Sequence, residues 1–261
     1  THCPFSFLTA SGTWTYTLDN TRAATQALAL GEHHTESFTV RGNDASGTPV
    51  NQVISIEVNG SNDNPTIGGA HQGSVVEDRT LTASGALSFS DIDTGDKLGT
   101  WQVLTPQGIY GTLSIDQNGN WTYRLDPARS QSIKAGDSPQ DSFVVRVTDN
   151  HGGYADQQVT LQVTGTNDGP AIDPNSPALT GDVTEDQIGA TTAQGTIASG
   201  DPDINDNLAW SIDGYIGQSV GSYGTLTLDQ NGHWTYTLDH AKADRLAEGT
   251  TVVDRFIVNI T

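Results

Sequence analysis

The chain has 261 residues, with 31 acidic side chains against 11 Lys and Arg and a formal charge of −20. That balance excludes nucleic acid as a partner, because phosphate binding needs clustered Lys and Arg. The lone Cys3 excludes an internal disulfide, and no apolar run approaches the roughly 18 residues of a membrane span.

In chain order, the first recurrent element is Ser11-Gly-Thr-Trp14-Thr-Tyr-Thr-Leu-Asp19. It returns as Asn118-Gly-Asn-Trp121-Thr-Tyr-Arg-Leu-Asp126 and as Asn231-Gly-His-Trp234-Thr-Tyr-Thr-Leu-Asp239. The steps between the tryptophans are 107 and 113 residues. A period near 100 is too long for a solenoid and fits an array of whole domains. Residues 1–65 then read as the C-terminal part of a first repeat and residues 66–170 as a complete second one. Residues 171–261 read as a third, cut before its last strand. The absence of Met is expected of a slice of a longer protein.

Within the second repeat, Thr, Val and Ile alternate with polar residues in short runs punctuated by Gly, Asn and Asp. This is an all-β sandwich pattern. Strands are expected over residues 73–76, 86–89, 100–104, 111–115, 121–125, 142–147 and 157–164, an immunoglobulin-like count of about seven. Glu77-Asp78 turns the chain after the first, and Asp91-Ile-Asp93 ends the second. Asn118-Gly119 and Asn231-Gly232 predict two-residue hairpin loops with positive φ at both positions. The period of two puts Trp121, Tyr123 and Leu125 on one buried face. A single helical turn is expected within residues 127–133. The repeats end in Asn62-Asp-Asn-Pro65 and Asn167-Asp-Gly-Pro170, where proline stiffens the exit.

These motifs resemble the VCBS and cadherin-like repeats of large bacterial RTX-type adhesins. The resemblance rests on Glu77-Asp78 and Glu185-Asp186, Asp91-x-Asp93 and Asp201-x-Asp203, and Tyr-Gly-Thr-Leu at 110–113 and 223–226. It rests also on the Trp hairpins, Asp149-x-x-Gly-Gly153 and the Gly-x-Asn-Asp-x-Pro exits. Residues 1–7 depart from the pattern. The resemblance implies calcium-stabilised tandem sandwiches that form the extension region of a secreted or surface-anchored bacterial protein. It also implies a role in cell adhesion and biofilm formation, with a glycan or cell-surface ligand bound elsewhere in the full protein.

Loop alternation in a sandwich gives the junctions their expected chemistry. Asn62 and Asp63 of the first exit should meet Asp91, Asp93 and Asp149 at the entry end of the second repeat. Glu77 and Asp78, at its far end, should meet Asn167, Asp168, Asp201 and Asp203. Clustered carboxylates repel one another unless a cation binds, and calcium takes six to eight hard oxygens. The expected partners are therefore calcium ions and the neighbouring repeats of the same chain. The arrangement is similar to cadherin junctions, and Glu32 and Asp137 are further candidate ligands. The expected effect of the ions is to rigidify the linkers.

Other constellations are weaker. His33-His34 reads as a surface pair in a polar loop, and His151 as solvent-facing. Asp201 to Asp206 lacks the Gly and Glu of an EF-hand loop. No Gly-x-Ser-x-Gly elbow occurs, and the acids cluster at domain ends instead of flanking a cleft, so no enzyme is expected. Two alternatives stay open: a carbohydrate- or protein-binding module using exposed Tyr110, Tyr154 or Tyr215, and a spacer attached to a secreted enzyme.

Overall fold

The computed structural model describes residues 4–8, 12–95, 99–176, 179–187, 189–213 and 218–261. Cys3, Ser11 and Tyr215, named above, lie outside the described residues. By contacts the chain divides into two compact units, residues 1–126 with 139–163, and residues 127–138 with 164–261. The described secondary structure is almost entirely strand, as the alternation predicted.

The first unit opens with β1 (Phe5–Leu8), β2 (Thr13–Tyr16), the helical turn α1 (Ala23–Gln26), β3 (His33–Asn43) and β4 (Pro49–Asn59). β1 pairs with β2, and β3 pairs with β4 along eleven residues each. The Asp44 carboxylate closes the β3–β4 turn by accepting the N–H groups of Ser46 and Thr48. His33 and His34 are exposed, but they begin strand β3 instead of lying in a loop, because they pair with Asn59 and Val58.

A complete sandwich follows: β5 (Thr66–Gly69), β6 (Gln72–Val76), β7 (Thr82–Ser90), β8 (Thr100–Val103), β9 (Gly111–Ile115), β10 (Asn120–Leu125), then β11 (Gln140–Thr148) and β12 (Tyr154–Thr164). One sheet has the order β5-β7-β10-β9 and the other β6-β12-β11-β8. Among the described residues there are eight strands instead of seven, because the first is shared between sheets. At the crossing, Ala70 N–H donates to Ala86 of one sheet, and the His71 carbonyl accepts from Thr160 of the other. Trp121, Tyr123 and Leu125 are buried as predicted, and the Trp121 indole N–H donates to the Ala70 carbonyl at 2.7 Å. Gly73 and Gly85 lie against this indole, where a Cβ would collide with it.

The hairpin loops differ from expectation. Asp116 and Asn120 close the β9–β10 turn, leaving three loop residues, and only Gly119 has positive φ, at 82°. This is a turn with a glycine bulge. The Asp116 carboxylate favours it by accepting the N–H groups of Asn118 and Asn120. Asp229 does the same for Asn231 and His233 around Gly232.

The second unit begins with α2 (Pro127–Ser130), a shorter turn than residues 127–133. It continues with β13 (Ala171–Ile172), β14 (Thr192–Thr196), β15 (Ser199–Gly200), β16 (Trp210–Ile212), β17 (Gln218–Val220), β18 (Gly224–Leu228) and β19 (His233–Leu238). The helical turn α3 (His240–Ala243) and β20 (Val258–Ile260) complete it. The pairings are β13-β15, β14-β19-β18-β17 and β16-β20. Trp210, Ile212, Leu226, Leu228 and Trp234 form its core. Residues 181–184, aligned with β6, form no strand.

Candidate metal centre

Each candidate centre is built where an outgoing strand hands the chain to the next acidic loop. In the first unit, Gly60 leaves β4 so close to the carbonyls of Leu28 and Ala29 that no side chain fits, and its N–H donates to the Glu32 carbonyl. The chain then reaches Asn62 and Asp63. The Asp63 N–H donates to Asp93 Oδ2 at 2.8 Å, and Asn62 Nδ2 donates to Asp149 Oδ2 at 3.1 Å. Asp91 Oδ1 accepts the Asp93 N–H. The structure thus gathers Asn62, Asp63, Asp91, Asp93 and Asp149, the five residues expected to meet there.

The electrostatics of this cluster are unusual. Asp93 is 3 % exposed, and its Oδ1 is buried without a hydrogen-bond donor. Asn62 turns its NH₂ toward Asp149 and the Asp63 carbonyl, which leaves its Oδ1 buried without a donor as well. Burial pushes the Asp149 carboxyl up, but hydrogen bonds from Asn62 and the loop N–H groups of His151 and Gly153 outweigh it and hold the group below its ordinary value. Buried oxygens without donors are costly unless something else satisfies them.

The same bonds recur in the second unit. Gly165 N–H donates to the Asp137 carbonyl, Asp168 N–H to Asp203 Oδ2 at 2.9 Å, and Asp203 N–H to Asp201 Oδ1. Asp203 is again 3 % exposed with a buried, donorless Oδ1. Asn167 Nδ2 turns to the Asp168 carbonyl.

A backbone latch joins each acidic loop to the segment after the preceding Trp strand. Thr94 N–H donates to the Ala27 carbonyl at 3.1 Å, and Thr94 Oγ1 donates to the same oxygen at 2.9 Å. Ile204 N–H meets the Ser132 carbonyl at 3.5 Å. Glu32 Oε2 lies 3.5 Å from Thr94 Oγ1. Both latches share a main-chain bond, which no residue type announces, and Thr94 adds its hydroxyl to the first.

Glu77 is completely buried, whereas Asp78 is exposed in a left-handed turn with φ 55°. Asp186 repeats that turn with φ 54°, and the Glu185 beside it keeps a buried Oε2 without a donor. Glu77 and Asp78 belong to the first unit, and Asn167, Asp168, Asp201 and Asp203 to the second.

Two groups of residues escaped the sequence reading. Asp206, set aside with the EF-hand pattern, joins Asp201 and Asp203, with one carboxylate oxygen of each within 4.8 Å of the others. Asp141 is a buried carboxylate with a different job. It accepts the N–H groups of Ile109, Tyr110 and Gly111 and the Tyr123 hydroxyl. Asp254 repeats this with Ser222, Tyr223 and Tyr236. These anchors explain the recurring Tyr-Gly-Thr-Leu. Their sequence signal was Asp-x-Phe at 141–143 and 254–256, echoed by Glu36-x-Phe38.

Of the candidate ligand-binding tyrosines, Tyr110 is half-buried, and its backbone N–H donates to Asp141 Oδ2. Tyr154 is 50 % exposed, but one ring face carries the Arg146 guanidinium at 3.9 Å, itself held by Asp156.

Comparison with known proteins gives the arrangement a family. The bacterial cadherin-like domain matches residues 62–165. The calcium-binding lectin RapA2 of Rhizobium johnstonii is 30% identical over 176 residues, covering 64% of this chain and 71% of that protein. Extracellular cadherin domains 1–5 of protocadherin gamma B2 share the fold at a TM-score of 0.52 and 15% identity. That alignment covers 91% of this chain, which spans 44% of the protocadherin chain. The chain belongs to the bacterial cadherin-like domain family.

Proposed function

We propose that these are calcium-stabilised extension repeats of a secreted or surface-anchored bacterial adhesin, supporting cell adhesion and biofilm formation outside the cell. The observation that carries the reading is the pair of buried carboxylate oxygens, Asp93 Oδ1 and Asp203 Oδ1, left without donors where a linker arrives. A hard cation satisfies such oxygens, and calcium accepts the irregular set of carboxylate, amide and backbone oxygens gathered there. In this reading Asn62, Asp63, Asp91, Asp93 and Asp149 hold ions at one junction. Asn167, Asp168, Asp201 and Asp203 hold them at the next, with Glu77 and Asp78 supplied by the preceding repeat. The repeats are residues 1–65, 66–170 and 171–261, and shared ions stiffen the links between them. The name of the Rhizobium relative supports calcium as the ion. None of the gathered residues is assigned a catalytic role.

Extracellular modules bind calcium with Kd of roughly 10⁻⁴–10⁻³ M, so the sites fill outside a cell and empty inside it. Isothermal titration of the chelated chain with calcium, with magnesium as control, tests the reading. Saturable, calcium-specific binding in that range is expected, and no binding up to about 10 mM contradicts it.

The description of that relative as a lectin supports a second reading, glycan binding by one repeat. Glycan-array binding that disappears in Tyr154→Ala would favour it. Retention of array binding in that variant would place the ligand elsewhere.

A further inference from the structure

We infer that Asp206 is a third carboxylate ligand of the second junction, so that the loop from Asp201 to Asp206 carries a cation site built within one repeat. The inference rests on the calcium reading above and deepens it. Oxygens of Asp201, Asp203 and Asp206 lie within 4.8 Å of one another. Two oxygens on one calcium ion, at roughly 2.3–2.6 Å each, stand at most about 5 Å apart. The three carboxylates are therefore close enough to share a single ion.

A second observation singles this loop out from an ordinary acidic turn. Asp203 is 3 % exposed, its Oδ2 is taken by the Asp168 N–H, and its Oδ1 is buried with no donor. A carboxylate that served only to cap the turn would face N–H groups, as Asp229 does in its hairpin. The backbone also brings Asp206 into place. Asn205 adopts φ 65°, a left-handed conformation that Asn tolerates better than most residues, and it reverses the chain between Asp203 and Asp206. No Lys, Arg or His is ion-paired with the three among the described residues. Three close carboxylates then repel one another until a cation arrives.

The sequence carries the same spacing twice: Asp91-x-Asp93-x-x-Asp96 and Asp201-x-Asp203-x-x-Asp206. Asp96 lies outside the described residues. The spacing differs from the EF-hand loop in lacking its turn glycine and distal Glu.

The test compares the full chain with Asp206→Asn, with Asp203→Asn as a positive control and Asp244→Asn as a charge control. Calcium is titrated by calorimetry, and thermal unfolding is followed in chelator. Asp206→Asn is expected to weaken one class of ions by about tenfold or more, since ligand charge sets affinity. Its unfolding in chelator should match or exceed that of the parent chain, because a repulsive charge has gone. Asp244→Asn should bind like the parent. Parent-like binding by Asp206→Asn, with Asp203→Asn impaired, overturns the inference and leaves the calcium reading standing. Destabilisation of Asp206→Asn in chelator also overturns it, because it assigns Asp206 a structural role. Failure of the parent chain to bind calcium removes both.

Discussion

Asp141 and Asp93 sit in the same repeat at almost the same burial, 2 % and 3 % exposed, yet they are treated in opposite ways. Asp141 faces three loop N–H groups and a tyrosine hydroxyl, so the protein itself satisfies its charge. Asp93 receives one linker N–H on Oδ2 and nothing on Oδ1. Both are aspartates, so residue type does not separate them. What separates them is who supplies the donors. A carboxylate whose oxygens are all occupied is a structural anchor. One with a buried oxygen left over is waiting for a partner that the chain does not provide.

The largest expected effect breaks the anchor. Asp141→Ala leaves buried donors unpaired and should cost about 4 kcal/mol, since hydrogen bonds to charged groups contribute about 1.5–3 kcal/mol each and are only partly additive. Urea unfolding should give the same loss in calcium and in chelator. A loss seen only in calcium would merge the two kinds of site. Asp93→Ala is the counterpart. In chelator the loss of the Asp63 N–H bond and the relief of carboxylate repulsion oppose each other, and the net change should stay within about 1 kcal/mol. In calcium it should forfeit most of the ligand-linked increment, about 2.7 kcal/mol when calcium is present at about 100 times Kd.

How much of this was legible beforehand depends on the kind of interaction. The sandwich was visible because Trp121, Tyr123 and Leu125 alternate with polar neighbours, and burial enforces that period. The gathering of Asn62 and Asp63 with Asp91, Asp93 and Asp149 followed from which loops share an end of the sandwich. The extra strand did not, since the switch between sheets at Ala70 and His71 is a matter of main-chain hydrogen bonds. Asp141 was passed over for the same reason: its partners are N–H groups, which every sequence carries. Asp206 shares the spacing of an acidic loop but without the glycine and glutamate of an EF-hand, so the sequence pattern alone does not mark it as a ligand.

Tyr123→Phe sharpens the anchor's share by removing one donor while keeping the ring. It should cost about 1–2 kcal/mol, in chelator as in calcium, by chemical denaturation. The anchors also set a pH signature. Burial raises the Asp254 carboxyl, but the N–H of Tyr223 and the Tyr236 hydroxyl outweigh it and hold the group below 3.8. A depressed carboxyl stabilises above its unfolded value and loses that contribution as pH falls through the folded one. Burial, then the Asp141 and Asp254 contacts, push the Tyr123 and Tyr236 hydroxyls above 10.0. Their contribution is present below that pH and is lost as pH rises toward the folded values. Thermal unfolding in chelator should therefore show acid loss below about pH 4 and alkaline loss above about pH 10, the latter reduced in Tyr123→Phe.

The smallest effect belongs to the latch. Thr94→Val removes the Oγ1 bond to the Ala27 carbonyl but keeps the backbone bond, and should cost less than about 1 kcal/mol. Hydrogen exchange should still find the Thr94 amide protected in chelator. Free exchange there would mean that the ion alone holds the junction.

The central claim is that the donorless oxygens of Asp93 and Asp203 await a calcium ion. Thermal unfolding of the chain and of the Asp93→Asn/Asp203→Asn double variant, with calcium titrated from chelator, tests it most directly. The account predicts a calcium-specific rise in Tm for the parent, saturating near millimolar concentration, that is largely lost in the double variant. An equal rise in both, or no rise in the parent, would contradict it.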